Sequence, residues 1–156
     1  KGLFAVNGFL YNHESPRRGA NFVTQKICLG AAAISVGKEK ELKLGDTSME
    51  RDWTDARDIV RGMWLSLQAD QPDDYIFASG QTHSVQDVVE IAFETVGLNW
   101  EHYVVRDESL NRKREPNRLV GDASKAKAVL GWEPENSLHN LIVEMTETAL
   151  RKISRS

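Results

Sequence analysis

The sequence predicts an α/β fold, and three observations carry that prediction. Short apolar runs of strand length alternate with longer stretches of helical period along the whole chain, the pattern of strand–helix units rather than of an all-helical or all-β protein. The helical stretches carry start and stop signals, clearest at Ser84 with Asp87 three places on and at Gly97 and Gly131. The block Asn12-His13-Glu14-Ser15-Pro16-Arg17-Arg18-Gly19 stands between an apolar run and an amphipathic one, where open α/β sheets place ligands, at the carboxyl ends of strands.

In chain order, Leu3-Phe4-Ala5-Val6 and Phe9-Leu10-Tyr11 read as one buried strand interrupted at Asn7-Gly8. From residue 20 to 36, Phe22, Val23, Ile27, Ala31 and Ile34 recur at helical spacing, with Asn21 as the expected N-cap and Gly37 as the stop. Residues 41–44 read as a short strand, and Gly45-Asp46-Thr47 as a turn. After the polar-aromatic knot Arg51-Asp52-Trp53-Thr54-Asp55, a helix capped by Thr54 or Asp55 is expected to reach about residue 69, with Ile59, Val60, Met63, Trp64 and Leu67 at helical spacing. Tyr75-Ile76-Phe77-Ala78 is a strand. Ser84 and Asp87 form a capping box for a helix whose core stripe is Val85, Val88, Val89, Ala92, Phe93 and Val96. Residues 100–105 read as a strand, 107–118 as a polar surface loop, and Leu119-Val120 as a brief apolar element. Asp122 is expected to cap a short helix over 123–130, and Ser137 a final helix with Leu138, Leu141, Ile142, Met145, Ala149 and Ile153 inward.

Composition narrows the class of function. The 156 residues suffice for one domain with a sizeable core. The net charge is −3 with both signs interspersed, so no broad basic face for nucleic acid is expected. The single cysteine, Cys28, rules out an internal disulfide and sits in an apolar helical pattern that reads as core. No stretch has the length of a membrane span and no signal peptide opens the sequence, so a cytoplasmic location is expected. The chain begins abruptly in an apolar run, which suggests entry midway through a larger fold.

The four histidines, His13, His83, His102 and His139, show no metal-ligand spacing, and neither a dinucleotide fingerprint nor a P-loop is present. No catalytic nucleophile and no metal site are therefore assigned. Arg17, Arg18 and Lys26 could neutralise a diphosphate, since guanidinium forks match phosphate oxygens; a solvated polar turn is the other reading of that block. Arg51 could bind phosphate or hold a carboxylate structurally. Arg112 and Glu115 could read the edges of a polar ligand or form a surface ion pair worth about 0–1 kcal/mol.

Leu3-Phe4-Ala5-Val6-Asn7-Gly8, followed by Tyr11-Asn12-His13-Glu14-Ser15-Pro16-Arg17-Arg18-Gly19-Ala20-Asn21-Phe22-Val23-Thr24, resembles the GDP-mannose 4,6-dehydratases, a family of extended short-chain dehydrogenases/reductases. The resemblance continues through Leu44-Gly45-Asp46, Arg51-Asp52-Trp53, Asp55-Ala56-Arg57-Asp58 and Met63-Trp64, and through residues 80–85 and 121–132. It implies the C-terminal part of an extended Rossmann-type fold, mostly substrate-binding domain. Residues 1–12 would be the last part of the Rossmann sheet and 13–156 mainly the substrate-binding domain. The dinucleotide-binding half, with the Tyr-x-x-x-Lys pair of the chemistry, would precede Lys1.

By the same resemblance, His13 and Arg18 would contact NADP, and Asn12, Lys26, Gly45, Arg51, Arg112 and Glu115 would bind GDP-mannose. The implied reaction converts GDP-mannose to GDP-4-dehydro-6-deoxy-D-mannose, a precursor of GDP-fucose, with the isolated chain inactive. The expected partners are GDP-mannose and either the missing half or further copies of the chain, with no nucleic acid and no membrane. The segment Arg112-Lys113-Arg114-Glu115-Pro116-Asn117 departs from the family's Arg-Pro-x-Glu-Val-Asp. That departure leaves open a related nucleotide-sugar epimerase or reductase, and a non-catalytic binding fragment is a third reading.

Overall fold

The computed structural model describes residues 2–111 and 118–155; Arg112 and Glu115 therefore lie outside the described residues. Strand pairing joins elements far apart in sequence. β1 (Gly8–Leu10) pairs in parallel with β6 (Tyr75–Phe77), β2 (Asn12–Glu14) with β5 (Trp53–Asp55), and β3 (Leu42–Leu44) with β8 (Val104–Arg106). β4 (Glu50–Arg51) pairs antiparallel with β7 (His83–Ser84) and parallel with β9 (Arg118–Leu119). Five helices complete the fold: α1 (Val23–Ser35), α2 (Ala56–Ser66), α3 (Val85–Thr95), α4 (Ser124–Leu130) and α5 (Leu138–Ser154). Among the described residues, no helix is long and apolar enough to cross a membrane.

Two apolar cores hold these elements. The larger joins α1, α3 and α5 through Ile27, Cys28, Ala31, Val88, Val89, Phe93, Leu141, Ile142 and Met145, with β3 and Trp53 beneath them. The expected inward faces of α3 and α5 are all there except at their ends, where Val96 and Ile153 are partly buried. Cys28 is buried, and burial pushes its thiol up to about 11. The smaller core gathers Ile59, Tyr75, Phe77, Ala126 and Trp132. Trp132 Nε1 donates to the Asp58 carbonyl at 2.8 Å, so burying the indole leaves no polar atom unpaired.

Caps follow the sequence closely at three helices. Ser84 and Asp87 form the capping box, Ser137 accepts from Asn140 N–H, and Asp55 rather than Thr54 caps α2. The expected Asp122 cap of α4 is not found: the helix starts one residue later, with Ala123 in the cap position and no side-chain cap bond, and Asp122, just before it, accepts from Ser124 N–H at 2.9 Å. Gly97 and Gly131 take φ of +72° and +62°, the left-handed geometry that lets a chain leave a helix.

Several expectations need correction. Residues 3–6 are not a strand: Leu3 is 84% exposed, and no ladder partner among the described residues reaches this run. The strand starts at Gly8, where Asn7 anchors to Asp74 Oδ1 and accepts from Tyr75 N–H. α1 begins at Val23, not residue 20, and Asn21 is not its cap. Turns closed by Arg18 N–H to Ser15 O and Phe22 N–H to Gly19 O occupy that stretch, and Phe22 holds the cap position without a side-chain bond. The strand expected over 100–105 is a single 3-10 turn, Trp100–His102, followed by β8. α2 stops at Ser66. Of its five periodic apolar residues only Ile59 is buried, whereas Val60, Met63, Trp64 and Leu67 are 63, 48, 60 and 57% exposed. The reason lies in small residues: Gly62 and Ser66, with Ile59, face the sheet, and Asp58 and Arg61 face the turn at 133–136.

A Cβ added at Gly62 would lie 2.5 Å from Phe77 Cε1 and 2.9 Å from Trp132 Nε1. Gly62→Ala should therefore destabilise the chain by about 1–3 kcal/mol through overpacking, more than the roughly 1 kcal/mol that alanine gains in helix propensity. Urea midpoints of the two proteins measure this, and a stabilised variant would contradict the packing.

Candidate functional site

A cavity of about 380 Å³ opens where β2, the start of α1, the turn after β3 and the β4–β5 segment meet. Its wall includes Asn12, Glu14 and Arg18 from the first polar block, Phe22, Val23 and Thr24 from the entrance to α1, and Gly45 and Asp46 from the turn. Arg51 and Trp53 come from the second polar knot, and Leu110 and Asn111 close one side. The volume lies within the roughly 300–1,000 Å³ typical of ligand clefts.

Backbone geometry explains the placement. The first polar block is not a loop throughout. Asn12, His13 and Glu14 extend as β2 against Trp53, Thr54 and Asp55, so alternate side chains point to opposite faces. Asn12 and Glu14 line the cavity. His13 is on the other face, and its Nδ1 lies 2.8 Å from the Tyr11 carbonyl. A carbonyl only accepts, so Nδ1 carries a proton and donates to it. The strand then breaks into a turn: Ser15-Pro16-Arg17-Arg18 closes with Arg18 N–H to Ser15 O at 2.9 Å, with proline at the position whose φ it presets.

α1 enters the cavity wall with its first turn uncapped. Phe22 offers no side-chain acceptor and no acidic residue follows it, so the dipole and the first amide donors remain available to an anion. Gly45 is needed for space, since a Cβ there would meet Asn111 Oδ1 at 2.9 Å and Leu110 O at 3.0 Å.

The charges around the cavity are balanced in sign but not in placement. Asp46 is at the exposed rim, where bonds from Ser48 Oγ and N–H hold its carboxyl below the ordinary value. Glu14 is buried at 2% exposure. Desolvation pushes its pKa above the ordinary glutamate value, against weaker opposing effects of the Thr24 hydroxyl, at 2.8 Å, and the nearby Arg18 and His13 charges. Arg18 Nε lies 3.1 Å from Glu14 Oε2 as an ion pair without hydrogen-bond alignment, and its Cζ sits 3.5 Å above the Phe22 ring. Arg51 Nη1 donates to the Glu50 carbonyl at 2.7 Å.

Of the residues singled out in the sequence, Asn12, Arg18, Gly45 and Arg51 meet at this cavity. Lys26 is one turn along α1 and its ammonium donates to the Lys43 carbonyl at 2.7 Å, outside the lining. His13 backs the wall. Arg112 and Glu115 belong to residues 112–117, which follow the lining residue Asn111 and lie outside the described residues. Sequence reasoning missed Phe22, Trp53 and above all Glu14 and Asp52. Asp52 is fully buried, and its carboxylate accepts from Ser79 N–H, Ser79 Oγ, Gly80 N–H and Gly121 N–H at 2.6–3.1 Å. For Asp52 the available signal was an acidic residue beside the strand-forming Trp53; Glu14, between His13 and Ser15, carried no local signal. Among the described residues, no group of three His, Cys, Asp or Glu side chains is arranged to hold a metal.

A sequence model described as GDP-mannose 4,6 dehydratase matches residues 1–145. The chain belongs to that family. GDP-mannose 4,6 dehydratase 2 of Arabidopsis thaliana is 47% identical over 154 residues, 99% of this chain and 41% of the relative. The human GDP-mannose 4,6 dehydratase is 42% identical over 160 residues, 92% of this chain and 43% of the relative. The chain thus spans less than half the length of these two relatives. Among solved structures, RMD from Pseudomonas aeruginosa complexed with NADPH superimposes with a TM-score of 0.88 at 20% identity, covering 97% of this chain and 50% of that one. dTDP-glucose 4,6-dehydratase from Bacillus anthracis in complex with NAD gives 0.78 at 18% identity, covering 96% and 45%. At such identities these likenesses show the fold, an α/β fold of the extended short-chain dehydrogenase/reductase type.

The raised pKa of Glu14 has a definite consequence for stability. A carboxyl that binds its proton more tightly folded than unfolded favours the fold at low pH. That contribution is lost as pH rises from below the ordinary value of 4.5 through the raised folded-state value. Glu14→Gln removes this term, so the variant should gain stability relative to the parent across that interval. Urea midpoints at a series of pH values would show it, and a difference that stays flat with pH would contradict it.

Proposed function

We propose that the chain is the nucleotide-sugar-binding, C-terminal half of a GDP-mannose 4,6-dehydratase. The observation that carries the reading is the convergence of Asn12, Arg18, Gly45 and Arg51, from separate parts of a family-matching sequence, on one cavity at the uncapped end of α1. In this reading Arg51 and the α1 N-terminus neutralise the diphosphate. Asn12 and Gly45 border the sugar nucleotide, and Lys26 swings from the Lys43 carbonyl to reach it. Arg112 and Glu115 face the base. Arg18 and His13 would hold the cofactor, NADP, which would supply the reversible hydride chemistry that a dehydration of the sugar across C5 and C6 requires. The tyrosine–lysine pair of that chemistry belongs to a dinucleotide-binding half outside residues 1–156, so this chain alone turns nothing over. Residues 1–12 belong to the sheet of that half, and residues 13–156 mainly to the substrate side. The setting is the cytoplasm and the product feeds GDP-fucose formation.

The edge of β1 that is unpaired among the described residues and the exposed flank of α2 fit the same reading, because a parallel sheet extended beyond β1 would cover both. Without that cover the chain should self-associate. Static light scattering should give a mass above 17.6 kDa, and Trp64→Gln with Met63→Gln should reduce it; a monodisperse monomer contradicts the reading of this face.

Calorimetric titration with GDP-mannose, and separately with GDP, tests the function. Saturable binding weakened at least about tenfold (1.4 kcal/mol) by Arg51→Ala supports a preformed cradle. No binding by a chain shown folded by circular dichroism overturns the module. The altered segment 112–117 favours a second reading, a nucleotide-sugar epimerase or reductase with another base preference; tighter binding of a UDP-, CDP- or dTDP-sugar than of GDP-mannose would select it.

A further inference from the structure

The Arg18 guanidinium is held on two sides and open on a third. Glu14 Oε2 lies 3.1 Å from its Nε, and the Phe22 ring lies beneath it with Cζ 3.5 Å from the centroid. Its two terminal nitrogens have no hydrogen-bond partner among the described residues, and the side chain borders the cavity at 23% exposure. The carboxylate is itself fixed: Thr24 Oγ1 donates to the same Oε2 at 2.8 Å, from the first turn of α1. The Ser15–Arg18 turn folds Arg18 back over Glu14. A free arginine samples many rotamers, and ordering it on a ligand is unfavourable; a guanidinium stacked on a ring and ion-paired with a buried carboxylate is already ordered.

We infer that Glu14 is a positioning residue: its carboxylate fixes the Arg18 guanidinium on the Phe22 ring so that both terminal nitrogens stay presented to an anionic ligand of the diphosphate class. The part played by the anion rests on the proposed reading of Arg18 as a contact of the cofactor, itself a dinucleotide diphosphate; the hold of Glu14 on Arg18 does not. Thr24 and Phe22 share the task, one by fixing the carboxylate and the other by supplying the ring face.

The sign of one substitution separates this role from simple charge. Glu14→Gln removes a buried negative charge beside the cavity, so electrostatics alone would tighten anion binding. Positioning requires the reverse. Two measurements on the full 156-residue chain decide it. The first is the Arg18 Nε–H signal in nitrogen-15 NMR without ligand. It should be dispersed and protected in the parent and should collapse to the position of solvent-exposed arginines in Glu14→Gln and in Phe22→Leu. The second is calorimetric titration with inorganic pyrophosphate. Glu14→Gln should weaken binding roughly five- to tenfold, Arg18→Ala should weaken it further, and the double variant should bind no more weakly than Arg18→Ala alone. Phe22 is 40% exposed, so Phe22→Leu retains the fold even if Glu14→Gln does not. An Nε–H signal unchanged in both variants overturns the inference, as does tighter pyrophosphate binding by Glu14→Gln. A parent that binds no pyrophosphate while its Nε–H signal still depends on Glu14 overturns the diphosphate ligand assigned to Arg18 and leaves the positioning in place.

Discussion

The architecture around the cavity depends on one buried carboxylate. Asp52 sits between the two short strands β4 and β5 and accepts four hydrogen bonds, three of them from backbone amides at Ser79, Gly80 and Gly121. A buried charge is tolerable only when its lone pairs are filled, and here they are. The bonds tie the end of β6 and the segment after β9 to the strand junction that carries Arg51 and Trp53. Gly121 has no room for a side chain, since a Cβ would fall 2.3 Å from that of Ala78 and 2.9 Å from the Tyr11 ring. Tyr11 precedes β2 directly. The carboxylate therefore sets the spacing between the sheet of β1 and β6 and the cavity wall made by β2 and β5.

The two polar blocks of the sequence turn out to be one structure. β2 and β5 are a parallel ladder three residues long on each side, and each contributes a buried acid, Glu14 and Asp55. Asp55 caps α2, while Glu14 has no helix to cap and instead meets the first turn of α1 through Thr24. Of the two acids, Glu14 thus serves the ligand side and Asp55 the fold. This division accounts for a cavity lined by charged groups inside a chain with ordinary composition.

Much of the fold was legible in the sequence because it is encoded locally. The Ser84–Asp87 box, the Ser137 cap, the left-handed Gly97 and Gly131, and the stripes of α3 and α5 are each specified by residues within a few positions of one another. The errors lie where local pattern competes with a distant partner. Residues 3–6 are apolar enough for a strand but find no ladder. Asn12–Glu14 is too polar to read as one and becomes a strand because Trp53–Asp55 lies alongside. The period of α2 is right, yet its buried side is chosen by the small Gly62 and Ser66, which let Phe77 and Trp132 approach. In the site, Asn12, Arg18, Gly45 and Arg51 were recognisable through the family's motifs, whereas Glu14 was not, because its importance comes from burial and burial comes from the pairing.

The ladder registers also determine how this chain can reach its fold. Gly8 pairs with Tyr75, Asn12 with Trp53 and Leu42 with Val104, separations of 67, 41 and 62 residues taken from those pairings. No tight hairpin exists among the described strands to start a sheet. Each pairing must close a long loop before it yields a single backbone bond, and the loss of chain freedom precedes the gain. The helices carry their own short-range bonds, and α1, α3 and α5 bury most of the apolar surface among themselves. The packing of α1 on α5 spans still more chain than any of these ladders, so helix packing and strand pairing meet the same closure entropy, and the cavity takes shape only together with contacts that reach across the whole sequence.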